Sequence, residues 1–469
     1  MKKIQLFDSL KSLNKIEFRE FGKFVRSPYF NNRSEVIRFY DAIKKYYPDF
    51  KTEKIDESKV FEEIYPGKKF SSVLMRKIYS LFVNLLMDYI VTTGFRKNTL
   101  EYNVKLLYFL YERKLPAELV KKSKLITNLL KNSFHTIEYY EYKFKHTSKL
   151  NGHLSDYVSI PDYQKELDDF IEQFLVIALV LYHRLLTTSN LHKIKYDLKL
   201  YKEVLLFIEN NNFENVTIVA IYYNLVKLLE TQDEKYFLKL IKLREKFKKK
   251  LTPILQYNIF VTLVDYSLNR IYKGDIGFRK HLYLLTKNYF EKFTFPEENS
   301  YLNPILYTGA IRNAAYLKEF GWINNFKNKY TKAIDPEILE ETLNYSNAFI
   351  EFEKGNYKES LNYVCKVNPV KIAAKTNSKN LFIMLFYELG YYDELVSQID
   401  SYKHFLRNND VGETIRNRCL PFLKYLSDLL KIKQSGNKNN LTLFLKKLNN
   451  SEYFNLKEWI LNKAEELIK

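Results

Sequence analysis

The chain has 469 residues, 46% hydrophobic and 28% charged, which is enough apolar material to bury a large core and to build two or three domains. Only 12 glycines and 11 prolines punctuate it, which excludes a disordered chain and argues against a sandwich, a barrel or a glycine-rich nucleotide fold. The formal charge of +20 invites a nucleic-acid or anionic-surface reading, yet 60 lysines stand against 15 arginines, and bidentate phosphate and base recognition favours arginine. A solvated basic surface is the competing explanation.

The class expected is therefore all-α. The amino terminus, MKKIQLFDSLKSL, opens with two lysines, but Gln5, Asp8, Ser9 and Lys11 interrupt any apolar core, so no export signal is read. The run 174–182 (FLVIALVLY) is far shorter than the roughly 20 residues a membrane helix needs and reads as a buried core helix. Cys365 and Cys419 give neither metal spacing nor a disulfide framework. No membrane span and cytoplasmic residence are the expectations.

In chain order, Asn14 and Glu17 have capping-box spacing ahead of Phe18, Phe21 and Val25, three apolar residues on one helical face. Ser27-Pro28 stops that helix and makes SPYFNN an aromatic corner. Further helices are predicted at 34–47, 58–64 and 71–91, with Tyr65-Pro66-Gly67 as the turn before the last. Residues 1–95 thus form a helical head. The stretches KFVRSPYFNN, KVFEEIYPGKKF and MRKIYSLFVNLLMDYI resemble the opening of a group of bacterial proteins with a SPYFN-like corner, a resemblance that brings no activity with it.

Residues 96–255 read as divergent helical hairpins, 256–410 as clearer repeats and 411–469 as closing helices whose Glu458, Lys463, Glu465 and Glu466 provide a polar outer face. The repeats align on Gly274, Gly321, Gly355 and Gly390, the last three 34 and 35 positions apart. Seven residues before each glycine stand Ser267, Ala314, Ala348 and Ile383, so three of four copies place a small residue where paired helices cross. The clearest unit is 344–369, two short helices about a glycine turn. Turn, small residue and period together resemble the tetratricopeptide repeat, with departures at Ile383, Phe326 and Leu395. The resemblance implies a helical head followed by an α-solenoid of degenerate hairpins.

Candidate chemistry is sparse. His135, His146 and His153 share a helical face, but 11 residues span about 16 Å, too far for one metal ion. His183 and His192 lack a carboxylate at zinc-protease spacing. Gly67-Lys68-Lys69 lacks the earlier glycine of a phosphate loop, since position 62 is Glu62, and Gly274-Asp275-Ile276-Gly277 lacks the strand and third glycine of a dinucleotide fingerprint. The pairs Glu62-Glu63, Glu297-Glu298, Glu340-Glu341 and Glu465-Glu466 diverge around a helix and read as solvated. The run 242–250 carries six cations against Glu245 and reads as a surface face.

The turn 65–67 between two helices gives the head a helix-turn-helix look, with Lys68, Lys69, Arg76 and Lys77 as nucleic-acid contacts. Tyr345, Phe349 and Phe352 form a stripe that either lines a concave peptide groove or packs against the next hairpin. No catalytic residue, metal ligand or cofactor is assigned. The function expected is a non-catalytic scaffold for a protein or peptide partner. The alternatives are a nucleic-acid-associated regulator and a helical enzyme whose site would be a deep polar pocket with shifted pKa values.

Overall fold

A computed structural model of the chain describes residues 3–153, 161–192, 194–291, 301–369, 372–409, 411–436 and 438–468. The Glu297-Glu298 pair lies outside those residues, as do the side chains of His153 and His192. Among the described residues there are 23 α-helices, five short 3-10 helices and no strand, so the all-α class holds. Contacts divide the chain into two compact units, one of residues 1–133 and 138–173, the other of 134–137 and 174–469.

The first unit opens with α1 (Lys3–Lys11), α2 (Lys15–Val25), α3 (Ser34–Ile43), α4 (Glu57–Ile64) and α5 (Ser72–Lys97). The capping box is present: Asn14 Oδ1 accepts from the amides of Ile16 and Glu17 at 2.9 and 3.0 Å, and Glu17 Oε2 accepts from the Asn14 amide at 3.2 Å. Behind it Phe18, Phe21 and Val25 enter a single core that runs from Leu6 to Tyr89. Each such side chain removed from water contributes about 1.5–3 kcal/mol. Gly22 lies on the same face because the Tyr40 ring rests against it, with the Tyr40 hydroxyl donating to Phe18 O at 3.0 Å.

The SPYFNN corner closes on its own backbone. The amides of Phe30 and Asn31 donate to Ser27 O at 3.0 and 2.9 Å, Asn31 Nδ2 donates to Val25 O at 2.8 Å, and Phe30 stacks on Phe24. The helix expected at 34–47 is α3 followed by a 3-10 turn at Lys44–Tyr46.

The unit continues with α6 (Thr99–Glu112), α7 (Pro116–Asn132), α8 (Ile137–His153) and α9 (Tyr163–His192), and the division between units falls within α9. Lys143 on α8 lies 2.9 Å from Asp169 and 2.6 Å from Glu172, while Thr147 Oγ1 donates to Asp169 at 2.6 Å. Asp169 is buried, so these partners are what permits its charge.

The run 174–182 is not wholly buried, which corrects the core-helix reading. Leu175, Val176, Leu179 and Val180 face inward, and Phe174, Ile177 and Leu181 are exposed, so the run is apolar on both of its faces. Two helices, Ser72–Lys97 and Tyr163–Ser189, are long and apolar enough to cross a membrane by length and composition alone.

The second unit carries α10 (Tyr201–Asn210), α11 (Thr217–Thr231), α12 (Glu234–Lys246), α13 (Pro253–Tyr272), α14 (Phe278–Glu291), α15 (Pro304–Tyr316), α16 (Phe320–Tyr330), α17 (Leu339–Lys354), α18 (Tyr357–Val364), α19 (Ile372–Leu389), α20 (Tyr392–Asn408), α21 (Glu413–Ser435), α22 (Lys438–Asn449) and α23 (Lys457–Glu466). From α11 to α20 consecutive helices pack in pairs, α11 with α12 through α19 with α20.

Gly274, Gly355 and Gly390 turn with φ of 98°, 85° and 75°, the left-handed conformation that glycine takes without a Cβ penalty. Gly321 does not: it lies inside α16, and the left-handed residue of that turn is Lys318. The aligned turns are therefore residues 274, 318, 355 and 390, and the 34-residue interval ending at Gly355 becomes 37. Ser267, Ala314, Ala348 and Ile383 are all buried, but Ala314 stands four residues before its corrected turn and not seven, so it leaves the register of the other three. Phe326 and Leu395 fill core volume where a smaller residue was expected.

Candidate functional site

Two adjoining pockets of about 260 and 220 Å³ open among α13, α14, α15, α17, α19 and α23 of the second unit. Leu268, Arg279, Arg312 and Asn377 line both of them. Each arginine is fixed by its helix and by an aromatic face. Arg279, one residue into α14, has its Cζ 3.9 Å from the ring centre of Tyr316, and Arg312, in the middle of α15, stands 5.7 Å from that of Phe349. Arg418 on α21 lies 4.3 Å from the ring centre of Tyr272, another lining residue.

Stacking leaves the guanidinium edges open to hydrogen bonding. The hydroxyls of Tyr272 and Tyr345 lie beside Arg312; its enclosure opposes the charge, but their proximity outweighs that and holds its pKa above the ordinary value. Arg279 Nε is buried with no hydrogen-bond partner. None of these three arginines forms an ion pair among the described residues, where ion pairs go instead to Arg19, Arg26, Arg244 and Arg270.

Two acids of the lining are engaged elsewhere: Glu353 is 2.7 Å from Lys318, and Glu458 accepts from the Tyr453 hydroxyl at 2.9 Å. Asp265, an exposed residue, faces the second pocket. Asn313 and Asn380 are each only 5% exposed, and the Oδ1 of each lacks a partner, although Asn313 Nδ2 donates to Arg279 O at 2.9 Å. A buried carboxamide oxygen left unbonded costs about 1–3 kcal/mol. Enclosed cations without a counterion cost more, an expense that cation–π contacts of about 0.5–2 kcal/mol each reduce without cancelling. The lining is thus suited to accept an anion and amide N–H groups.

The far wall is α23. Trp459 lines the first pocket, and its Nε1 donates to Glu388 Oε1 at 3.1 Å while Lys463 Nζ lies 2.9 Å from the same carboxylate. This corrects the outer-face reading for Glu458 and Lys463, which turn toward the protein because they hold Tyr453 and Glu388; Glu465 and Glu466 are exposed as expected.

The aromatic stripe packs on its neighbours, the second of its two readings, and also borders the pockets. Phe349 and Phe352 pack against a core cluster with Ala348, Val364 and Leu385, and they also line the first pocket; Tyr345 lines the second. A larger pocket of about 460 Å³ lies among α12, α13 and α14, where Arg244 is paired with Glu245 at 3.3 Å and Lys248 and Glu291 add one charge of each sign.

Lys68, Lys69, Arg76 and Lys77 are all exposed, on the turn before α5 and its first turns. Arg76 Nε donates to Ser72 O on its own helix at 3.2 Å, and Lys68 lies 5.3 Å from the Tyr65 ring centre. The histidines are otherwise occupied. His146 Nε2 shares a 3.1 Å hydrogen bond with Ser123 Oγ, His135 is 3.0 Å from Lys250 Nζ, and His183 packs edge-on to Tyr222. Among the described residues no three His, Cys, Asp or Glu side chains are placed to hold a metal ion. The run 242–250 is not one surface face: Arg244 is buried, and Lys248–Lys250 form a 3-10 turn.

No sequence motif announces Arg279, Arg312, Asn377 or Tyr453, which come from four separate segments. One signal was available: Arg312 stands in PILYTGAIRNAAY, a lone charge on an otherwise apolar helix. Compared with protein-family models, with curated proteins and with solved structures, the chain matches none.

Proposed function

We propose that the protein is a non-catalytic scaffold that captures a peptide segment of a partner protein in the arginine-lined cavity, on an array of degenerate tetratricopeptide-like hairpins. The observation that carries this reading is the lining itself. Aromatic walls from Tyr272, Tyr316, Phe349 and Trp459 offer apolar contact, while Asn313 and Asn380 present bonding groups of the kind a peptide backbone satisfies. Paired helices with buried small residues at Ser267 and Ala348, each seven residues before a left-handed glycine, support the repeat reading, and the irregular turn spacing explains why the repeats are degenerate.

The test is capture of partners from native lysate, with and without nuclease and at low and high salt, by the parent chain and by Gly309→Trp. Gly309 lines the second pocket, and a Cβ there meets nothing within 4 Å, so tryptophan fills the cavity without a clash at its root. Partners that survive nuclease and are lost with Gly309→Trp bear the proposal out. Nucleic acid recovered by both chains and released by salt would move the function to Lys68, Lys69, Arg76 and Lys77 and overturn it.

A further inference from the structure

We infer that the peptide taken by this cavity carries an oxyanion, a side-chain carboxylate or a phosphoryl group, seated between Arg279 and Arg312. The inference rests on the peptide-binding reading and adds the chemical class of its ligand. A guanidinium stacked on a ring has its face covered and its N–H edge free, which is the geometry that recognises a carboxylate or phosphate bidentately. Arg279 has this arrangement, its Cζ 3.9 Å from the Tyr316 ring centre and its Nε a buried donor with nothing to donate to, and Arg312, 5.7 Å from the Phe349 ring centre, lines both pockets with it.

Among the described residues no carboxylate of the lining ion-pairs with Arg279 or Arg312: Glu353 is bound by Lys318, Glu458 accepts from the Tyr453 hydroxyl, and Asp265 is exposed at the second pocket. Arg418, beside the Tyr272 ring, adds a third positive charge behind the first two. An anionic ligand group supplies the ion pair that Arg279 and Arg312 lack, and a neutral or cationic one does not.

The experiment uses the full chain and a random twelve-residue peptide pool, acetylated and amidated at its ends, in two versions: one with Asp and Glu, the other with phosphoserine in their place. Selected peptides are sequenced, and their affinities are measured for the parent chain and for Arg279→Gln, Arg312→Gln and Arg312→Lys, with thermal melting as the check that each variant folds. The expected result is enrichment of an acidic residue at one position and a loss of tenfold or more with either glutamine variant. Arg312→Lys falls between, because lysine keeps the charge and loses the stack and the fork.

Preference for one pool over the other assigns the source of the oxyanion, and either preference supports the inference. If a variant fails to fold, Arg279→Lys and Arg312→Lys with their intermediate affinities carry the test. Peptides selected without acidic enrichment, or bound equally by the folded glutamine variants, overturn the inference and leave peptide binding standing. Selection of no peptide by the parent chain overturns both.

Discussion

Gly22→Ala puts the packing of the first unit to a test whose sign is informative. Alanine in a helix interior is favoured over glycine by about 1 kcal/mol, so propensity alone predicts a more stable protein. The structure predicts the reverse. A Cβ on Gly22 would lie 2.4 Å from the Tyr40 hydroxyl oxygen and 2.5 Å from Cζ, far inside contact distance, and Tyr40 is itself buried between Phe18 and Phe21. The ring must shift, which by analogy with overpacked cores costs about 1–3 kcal/mol, and the hydrogen bond to Phe18 O is lost for about another 1 kcal/mol.

Set against the propensity gain, the net loss is about 2 kcal/mol. Urea titration followed by hydrogen exchange of peptides spanning residues 15–47 reads this region separately from the rest of a large chain that need not unfold in one step. Gly94→Ala is the control, because Gly94 lies in α5 with nothing within 4 Å of its Cβ position, and it should stabilise by up to about 1 kcal/mol. If both substitutions raise protection alike, the close approach of Tyr40 to α2 is wrong.

Burial pushes the pKa of His146 and of His183 down to about 4, with Lys165 and Arg184 respectively adding to the effect. The unfolded chain takes up protons near pH 6.5 and the folded one only near 4, so stability falls as pH drops through that window, by up to about 3 kcal/mol for each residue. Urea midpoints at pH 7 and 4.5 should differ less in His146→Gln and His183→Gln than in the parent chain. Lys143→Met strands Asp169 and should cost about 3–5 kcal/mol, part of it recovered in Lys143→Met/Asp169→Asn, as thermal melts of the three chains would reveal. Gly274→Ala meets φ of 98° and the Tyr453 ring at 3.0 Å, so it should lower the melting temperature and, because Tyr453 lines the cavity, weaken peptide affinity as well. Unchanged affinity in a folded Gly274→Ala protein would detach that turn from the site.

Helices and their ends were legible because they are local. Asn14 and Glu17 cap α2 through bonds spanning three residues, and Gly355 and Gly390 mark turns by a conformation that side chains resist. Gly321 misled for the same local reason: a glycine near a turn resembles the turn residue, and only the backbone reveals that Lys318 takes the left-handed position. The amphipathic period of 174–182 was hidden by the apolar residues on both of its faces. The arginine cavity was beyond reach of periodicity altogether, since whether Arg279 on α14 and Arg312 on α15 share a pocket depends on the angles between helices. Lysine and arginine counts pointed away from it, yet two of the 15 arginines line it.

The docking of α23 gives the cavity a place in time as well as in space. Leu268 and Arg279 leave the ribosome long before Tyr453 and Trp459, and the wall those later residues form is fastened by the grip of Trp459 and Lys463 on Glu388. A nascent chain therefore exposes its stacked arginines to water, hydrated and without a closed pocket, until residue 463 has emerged and found its carboxylate. If the cavity takes a peptide as proposed, capture waits on α23, whose Ile460 and Ala464 also complete the core beneath it.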